Sequence, residues 1–275
     1  MISQRLRAPR LLLAASALFF GAAYFTIRFP DTPGAGAGSF VSTLLIALPS
    51  FVALWRYLGP KSAAISLLSL SACGFAIEII GVATGFPYGL FYYGDSLGPK
   101  LANLVPYLLP LSWVPLVLGA VTATMPEGKI GPWRRVLWVF SAAIFLTLVD
   151  GVLDPGAVYL GFWMWPEGGP YYGVPVSNYL GWLLSSSLAA AILLAIGRQR
   201  WESVPPPPGL LDSALIAVAF WVGVALFSGL LFPTVLGTAI FSYLLLRRAR
   251  LAMLVVIGES GYKGERDNDE RRLKV

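Results

Sequence analysis

Two aspartates four residues apart, in Asp150-Gly-Val-Leu-Asp154-Pro155, stand just ahead of an aromatic and glycine-rich run. That run reads Gly161-Phe-Trp163-Met-Trp165-Pro-Glu-Gly-Gly-Pro-Tyr171-Tyr172-Gly-Val-Pro175-Val-Ser-Asn178. An i, i+4 spacing puts both carboxylates on one face of a helix, and Pro155 is predicted to end that helix immediately afterwards. A third acid, Glu78, lies sixteen residues into another apolar stretch, about 24 Å along it at ~1.5 Å per residue. All three acids thus reach a similar depth. Desolvation disfavours the anion of a carboxyl in such a place, and neighbouring carboxylates disfavour it further, which is what a general acid requires. Read without chemistry, Glu78 is an acid hydrogen-bonded to a neighbouring helix, and Asp154-Pro155 is a helix-end turn.

The elements that position these acids belong to a membrane domain. Hydrophobic residues make up 57% of the chain, charged residues only 12%, and the mean hydropathy is +0.72, outside the range of a soluble domain. Stretches approaching the ~20 residues of a bilayer-crossing helix run from Leu11 to Ile27, Phe40 to Leu58, Ser62 to Thr84, Leu104 to Thr124, Val136 to Leu153 and Tyr179 to Ile196. Leu210 to Leu246 is too long for one span and carries Gly229 and Pro233 near its middle, so it reads as a helical hairpin. The expectation is an all-α, polytopic transmembrane helical bundle of about eight spans. With eight spans, Arg28 and Lys100 are the two basic residues of 20 that fall opposite the termini; the other 18 put both termini in the cytoplasm. The loops Gly85 to Asn103 and Pro155 to Ser177 then face outward. Residues 1–257 form the membrane domain, and 258–275 a polar tail expected to be disordered.

Several function classes drop out. The chain has no His, which rules out a His-ligated metal or haem and a Ser-His-Asp triad. Its lone Cys73 lies inside a span, so neither a disulfide nor a thiolate cluster can form within one chain. No Gly-rich dinucleotide fingerprint sits between strand and helix; no metal and no cofactor is expected. The net charge of +6 is spread over loops and tail and is a topology signal, not a nucleic-acid stripe. Arg5, Arg7 and Arg10 ahead of the first apolar run resemble a signal peptide, but the run is long for one. Asp31 to Gly38 reads as a flexible outer loop and Pro205 to Pro208 as a stiff polyproline turn.

Aromatic residues crowd the two outer loops. Tyr88, Tyr92, Tyr93, Trp113, Trp163, Trp165, Tyr171 and Tyr172 are candidate substrate contacts, together with Lys100 and Asn178. Individually such Trp and Tyr residues are what any membrane interface carries; their concentration beside the acids singles them out. Lys100 is a candidate ion-pair partner of Asp95, Asp150 or Asp154. The segments around Tyr92-Tyr93 and Trp163-Met-Trp165 also echo one another weakly, as a duplicated helix-loop-helix unit would.

Taken in order, Glu78, Gly85-Phe-Pro87-Tyr88-Gly89, Tyr92-Tyr93, Leu97-Gly-Pro-Lys100-Leu101, Val105-Pro106, Pro110-Leu-Ser-Trp113, Asp150-Gly-Val-Leu-Asp154-Pro155, Gly161-Phe-Trp163-Met-Trp165, Tyr171-Tyr172-Gly-Val-Pro175 and Asn178-Tyr-Leu-Gly-Trp182 resemble the signature of the CruF-type carotenoid 1',2'-hydratases. The resemblance covers residues 60 to 185 and the topology of the rest. It implies addition of water across the terminal C1=C2 double bond of an acyclic ψ end group in a lycopene-, γ-carotene- or bisanhydrobacterioruberin-like carotenoid, giving a tertiary alcohol. It also implies a multi-pass protein of the cell membrane that works in lipid, with other carotenoid enzymes as candidate associates.

That chemistry suits the residues. Hydration of the alkene needs a proton at C2, stabilisation of the tertiary cation at C1 and a positioned water. Without His, carboxyl groups are the natural acid and base, and aromatic faces stabilise a cation through their quadrupole. Two other classes start from the same acids. Asp150-x-x-x-Asp154 has the spacing of one aspartate pair of intramembrane prenyltransferases, which would make the chain a carotenoid elongase, and Glu78 with Asp150 could relay protons in a carrier of an apolar substrate.

Overall fold

The computed structural model describes the backbone of residues 2–30 and 34–272, and side chains between positions 9 and 254 except 31–33 and 35. Its helices are α1 (Ile2–Arg28), α2 (Ala35–Leu58), α3 (Pro60–Thr84), α4 (Leu109–Ala123), α5 (Pro132–Tyr159), α6 (Val176–Ile196), the short α7 (Arg198–Ser203), α8 (Asp212–Phe227) and α9 (Leu231–Arg272). Among the described residues, six segments are long and apolar enough to cross a membrane: those of α1, α2, α3, α5 and α6 and the segment Pro208–Phe227 that contains α8. The protein is an all-α, multi-pass membrane bundle. The loop expected at Asp31 to Gly38 lies outside the described residues over 31–33 and is helical from Ala35. The side chains of Arg5, Arg7 and the tail lie outside the described residues too; the backbone of α9 continues to Arg272.

Two segments depart from the sequence reading for identifiable reasons. The stretch Leu104 to Thr124 is helical only from Leu109, because Val105–Pro106 (β3) turns back to pair with Lys100–Leu101 (β2) through a tight turn at Ala102 and Asn103. Backbone groups near lipid must be satisfied internally, and this hairpin does so where Pro106 and Pro110 prevent a longer helix. The expected hairpin in 210–246 is present. Its turn falls at Ser228 to Leu230, with Gly229 at φ +73, and Pro233 sits in the opening turn of α9, where its missing N–H has no intrahelical partner to lose.

In lipid the helices gain little from apolar contact as such, so close approach at small residues carries their packing. A Cβ on Gly223 of α8 would meet Phe20 O of α1 at 2.6 Å, and one on Gly119 of α4 would meet Ala214 of α8 at 2.5 Å. Polar ties lock one end of the bundle. Arg248 of α9 grips Asp212 of α8 through Nε at 2.6 Å and Nη2 at 3.2 Å. Arg247 donates to the Ala123 and Met125 carbonyls at the end of α4, Arg135 pairs with Glu202 at 2.5 Å, and Arg200 lies over the Tyr57 ring. The acids Glu78 of α3 and Asp150 and Asp154 of α5 lie toward the opposite ends of their helices.

Candidate active site

The three acids meet. Glu78 projects from α3, and Asp150 and Asp154 from the last turns of α5; they are 8%, 1% and 1% exposed. Asp150 and Asp154 lie within hydrogen-bonding reach of each other, and both interact electrostatically with Glu78. A contact between two carboxyl groups needs a proton on one of them. Asn178, in the first turn of α6 and 2% exposed, donates its amide to both aspartates: to Asp150 Oδ2 at 3.1 Å and to Asp154 Oδ2. Trp163 Nε1 donates to Asp154 Oδ1 at 2.8 Å. Both oxygens of Asp154 therefore accept N–H bonds, whereas Asp150 Oδ1 is buried with no donor fixed on it. Across the cluster the Tyr93 hydroxyl donates to Glu78 Oε2 at 2.7 Å. Burial, with the Glu78 acid beside it, lifts the Tyr93 phenol well above its ordinary range, so it stays a donor.

Strand pairing brings the two aromatic loops together over the acids. Tyr92–Tyr93 (β1) pairs antiparallel with Trp163–Met164 (β4), Tyr93 opposite Trp163, with ring centroids 6.1 Å apart. The side chains that hold Glu78 and Asp154 are thus cross-strand neighbours. Beneath them Tyr88 is wedged between α3 and α6. A Cβ on Gly81 would meet its ring at 2.8 Å and one on Gly181 at 2.5 Å, so only glycine lets both helices close on the ring. Trp165 Nε1 and Ser177 Oγ donate to the Tyr88 carbonyl at 3.1 and 3.3 Å. Burial, then the Glu78 acid, raises the Tyr88 phenol as well.

Pro155 does not end α5, contrary to the sequence reading: the helix runs on to Tyr159. A proline inside a helix deprives the carbonyl four residues earlier of its donor, here Gly151 O. The Tyr171 hydroxyl supplies it at 3.1 Å. Gly151 itself lies between the two aspartates, so the outer loop closes the turn that carries them.

The remaining candidates divide by position. Trp113 packs on Gly74, one helical turn along α3 from Glu78, where a Cβ would meet its ring at 2.9 Å. Lys100 pairs with Asp95 at 3.0 Å and donates to the Tyr93 carbonyl at 2.7 Å, bracing β1; neither Asp150 nor Asp154 is its partner. Tyr92 and Tyr172 point outward: the Tyr92 hydroxyl lies 3.9 Å from Met164 Sδ, and the Tyr172 hydroxyl accepts from the Phe232 N–H at 3.4 Å. Among the described residues, no group of three or more acids or cysteines is arranged to hold a metal ion.

A family model described as "Carotenoid biosynthesis protein" matches residues 38–244, which contain every candidate residue named above. The chain belongs to that family. The chain is also 38% identical, over 188 residues, to the bisanhydrobacterioruberin hydratase of Haloarcula japonica. That alignment covers 67% of this chain and 63% of the relative, so the chain spans less than two thirds of the relative's length. The resemblance to CruF-type carotenoid hydratases is borne out at this level. No solved structure matches the chain.

The fold also gathers residues at the site that residue type alone did not single out. Phe91 packs between Tyr93, edge-on, and Trp165, tilted, Trp221 of α8 reaches Trp163 with centroids 6.3 Å apart, and Tyr179 of α6 packs edge-on against Tyr171. Tyr179 and Phe91 stand beside residues already in the motifs. Trp221 lies in an unbroken apolar helix and leaves no signal in the sequence.

Proposed function

We propose that this protein hydrates the terminal C1=C2 double bond of an acyclic carotenoid end group by acid-base catalysis, and the observation that carries the reading is the gathering of Glu78, Asp150 and Asp154 under a lid of aromatic rings. Glu78, tied by one oxygen to Tyr93, delivers a proton to C2. The positive charge that develops at C1 faces the rings of Trp163 and Tyr93 and the carboxylate of Asp154. A water adds its oxygen to C1 and gives a proton to the Asp150–Asp154 pair, which carries one negative charge and takes it up. Passing that proton to Glu78, with which both aspartates interact, restores the starting state. Atoms balance: one alkene and one water give one tertiary alcohol.

The relative's printed name, bisanhydrobacterioruberin hydratase, supports addition of water to a carotenoid. The elongase reading fits less well, because Asn178 and Trp163 already engage three of the four oxygens of the aspartate pair that would hold a metal diphosphate. The topology proposed from the charge bias puts this site at the outer face of the cell membrane, with the Arg247–Arg248 end in the cytoplasm. A polyene lying in lipid would bring its end to the aromatic lid.

Expression in lycopene-producing cells tests the proposal. The expected result is a pigment heavier by one water whose hydroxyl takes its label from oxygen-18 water and not from oxygen-18 dioxygen. Label from dioxygen, or no hydroxylated product from any ψ-end carotenoid, would overturn it.

A further inference from the structure

Two polar atoms at the site are buried without partners, and they lie on facing helices. One is Asp150 Oδ1; the other is the hydroxyl of Tyr179 on α6. Buried polar atoms are satisfied in more than nine cases of ten, and an exception at a reactive centre points to a bound water or a chemical role. Tyr179 follows Asn178, whose amide grips Asp150, and its ring packs against Tyr171 with centroids 5.9 Å apart. Tyr171 in turn bonds to Gly151 O, the residue next to Asp150. Tyr179 also interacts electrostatically with Asp154 and Asp150. It belongs to the aspartate side of the cluster, whereas Tyr93 and Tyr88 attend Glu78.

We infer that Tyr179 and Asp150 Oδ1 together hold the water that adds to C1, an assignment that rests on the hydratase reading above and goes beyond it. A phenol can donate one hydrogen bond and accept another, and a carboxylate oxygen accepts. A water between them donates one proton to Asp150 Oδ1, is fixed by Tyr179, and keeps a lone pair for the cation. Glu78 sends its proton from the other side of the cluster, so acid and nucleophile approach the double bond from separate groups. The two buried atoms become satisfied by the same molecule, which meets the need of a buried water for two or more polar partners.

The assignment separates water capture from protonation. In Tyr179→Phe, Glu78 still protonates C2, but a cation that water fails to trap loses a proton from C2 to the carboxyl cluster and reforms the alkene. In deuterium oxide that cation carries one hydrogen and one deuterium at C2, and loss of the hydrogen leaves deuterium in the recovered carotenoid. Hydration should therefore fall by roughly 10- to 100-fold while deuterium exchange into unreacted carotenoid persists, so the exchange-to-hydration ratio rises by a similar factor. KM for the carotenoid should hold. The detergent-solubilised variant should melt at or above the wild type, because the hydroxyl has no partner to lose.

Exchange and hydration falling in step would overturn the inference, as would hydration at the wild-type rate. A melting point several degrees lower would also overturn it, by revealing a structural partner for the hydroxyl. If the wild-type protein hydrates no carotenoid, it is the underlying reading that fails.

Discussion

The turn that carries the aspartates offers a test of how this site is held. Pro155 has no N–H, so Gly151 O would be an unmet acceptor in a buried helix; the Tyr171 hydroxyl meets it at 3.1 Å. Leaving a buried acceptor unsatisfied costs about 1–3 kcal/mol, and partial exposure of the Tyr171 ring favours the lower part of that range. Tyr171→Phe should cost about 1–2 kcal/mol, a fall in Tm of roughly 2–8 °C for a chain of this size, and should lower turnover by loosening Asp150 and Asp154. Pro155→Ala restores the N–H that the helix lacks. In that background the Gly151 carbonyl has an intrahelical donor, and Tyr171→Phe should cost less than about 0.5 kcal/mol. The coupling energy, about 0.5–2 kcal/mol, is read by a double-mutant cycle on thermal unfolding of the detergent-solubilised protein, followed by tryptophan fluorescence. Equal losses from Tyr171→Phe in the two backgrounds would refute the reasoning, since the hydroxyl would then be acting elsewhere.

Three further outcomes follow from the geometry. Glu78→Gln should fold and span as the wild type does yet lose at least about 100-fold in hydration, while Asp150→Asn and Asp154→Asn are similarly damaging; near-normal turnover of a well-expressed Glu78→Gln variant would remove Glu78 as the acid. Burial raises the Tyr93 phenol in the folded protein, so its contribution to stability is complete below about pH 10, the value for a free phenol, and is lost as pH rises through the higher folded value. Wild type should therefore lose more stability than Tyr93→Phe between about pH 10 and pH 12 in urea melts, and parallel curves would show that the phenol is not protected. Asp95→Cys and Glu167→Cys should react with a membrane-impermeant thiol reagent in intact cells and Glu202→Cys should not; the reverse pattern would invert the proposed topology.

Much of the site is written in local pattern. The four-residue spacing of Asp150 and Asp154 puts them on one helix face whatever surrounds them, and burial of a third acid at Glu78 in a long apolar stretch is legible because such residues are costly in lipid. Crowding of aromatics in two loops, the membrane class and the family signature need no coordinates either. The hairpin of α8 and α9 follows from length, since the mostly apolar stretch of 37 residues from Leu210 to Leu246 exceeds one span. Local pattern misleads at Pro155, where a rule about the residue before proline is overridden by a hydroxyl from a loop 20 residues away in sequence.

What only the tertiary structure decides is which atom meets which. Asn178 reaches back 28 residues to Asp150 and 24 to Asp154; Trp163 and Tyr93 become neighbours through strand pairing between loops about 70 residues apart. Lys100 has three acids within its sequence-level reach and takes Asp95. The orphan hydroxyl of Tyr179 emerges only when every donor near the aspartates has been placed. The physical reason is that hydropathy and periodicity record how each segment meets lipid, an average over many atoms, whereas a hydrogen bond depends on one donor and one acceptor within about 3 Å, and the crossing of α3, α5 and α6 alone determines that distance.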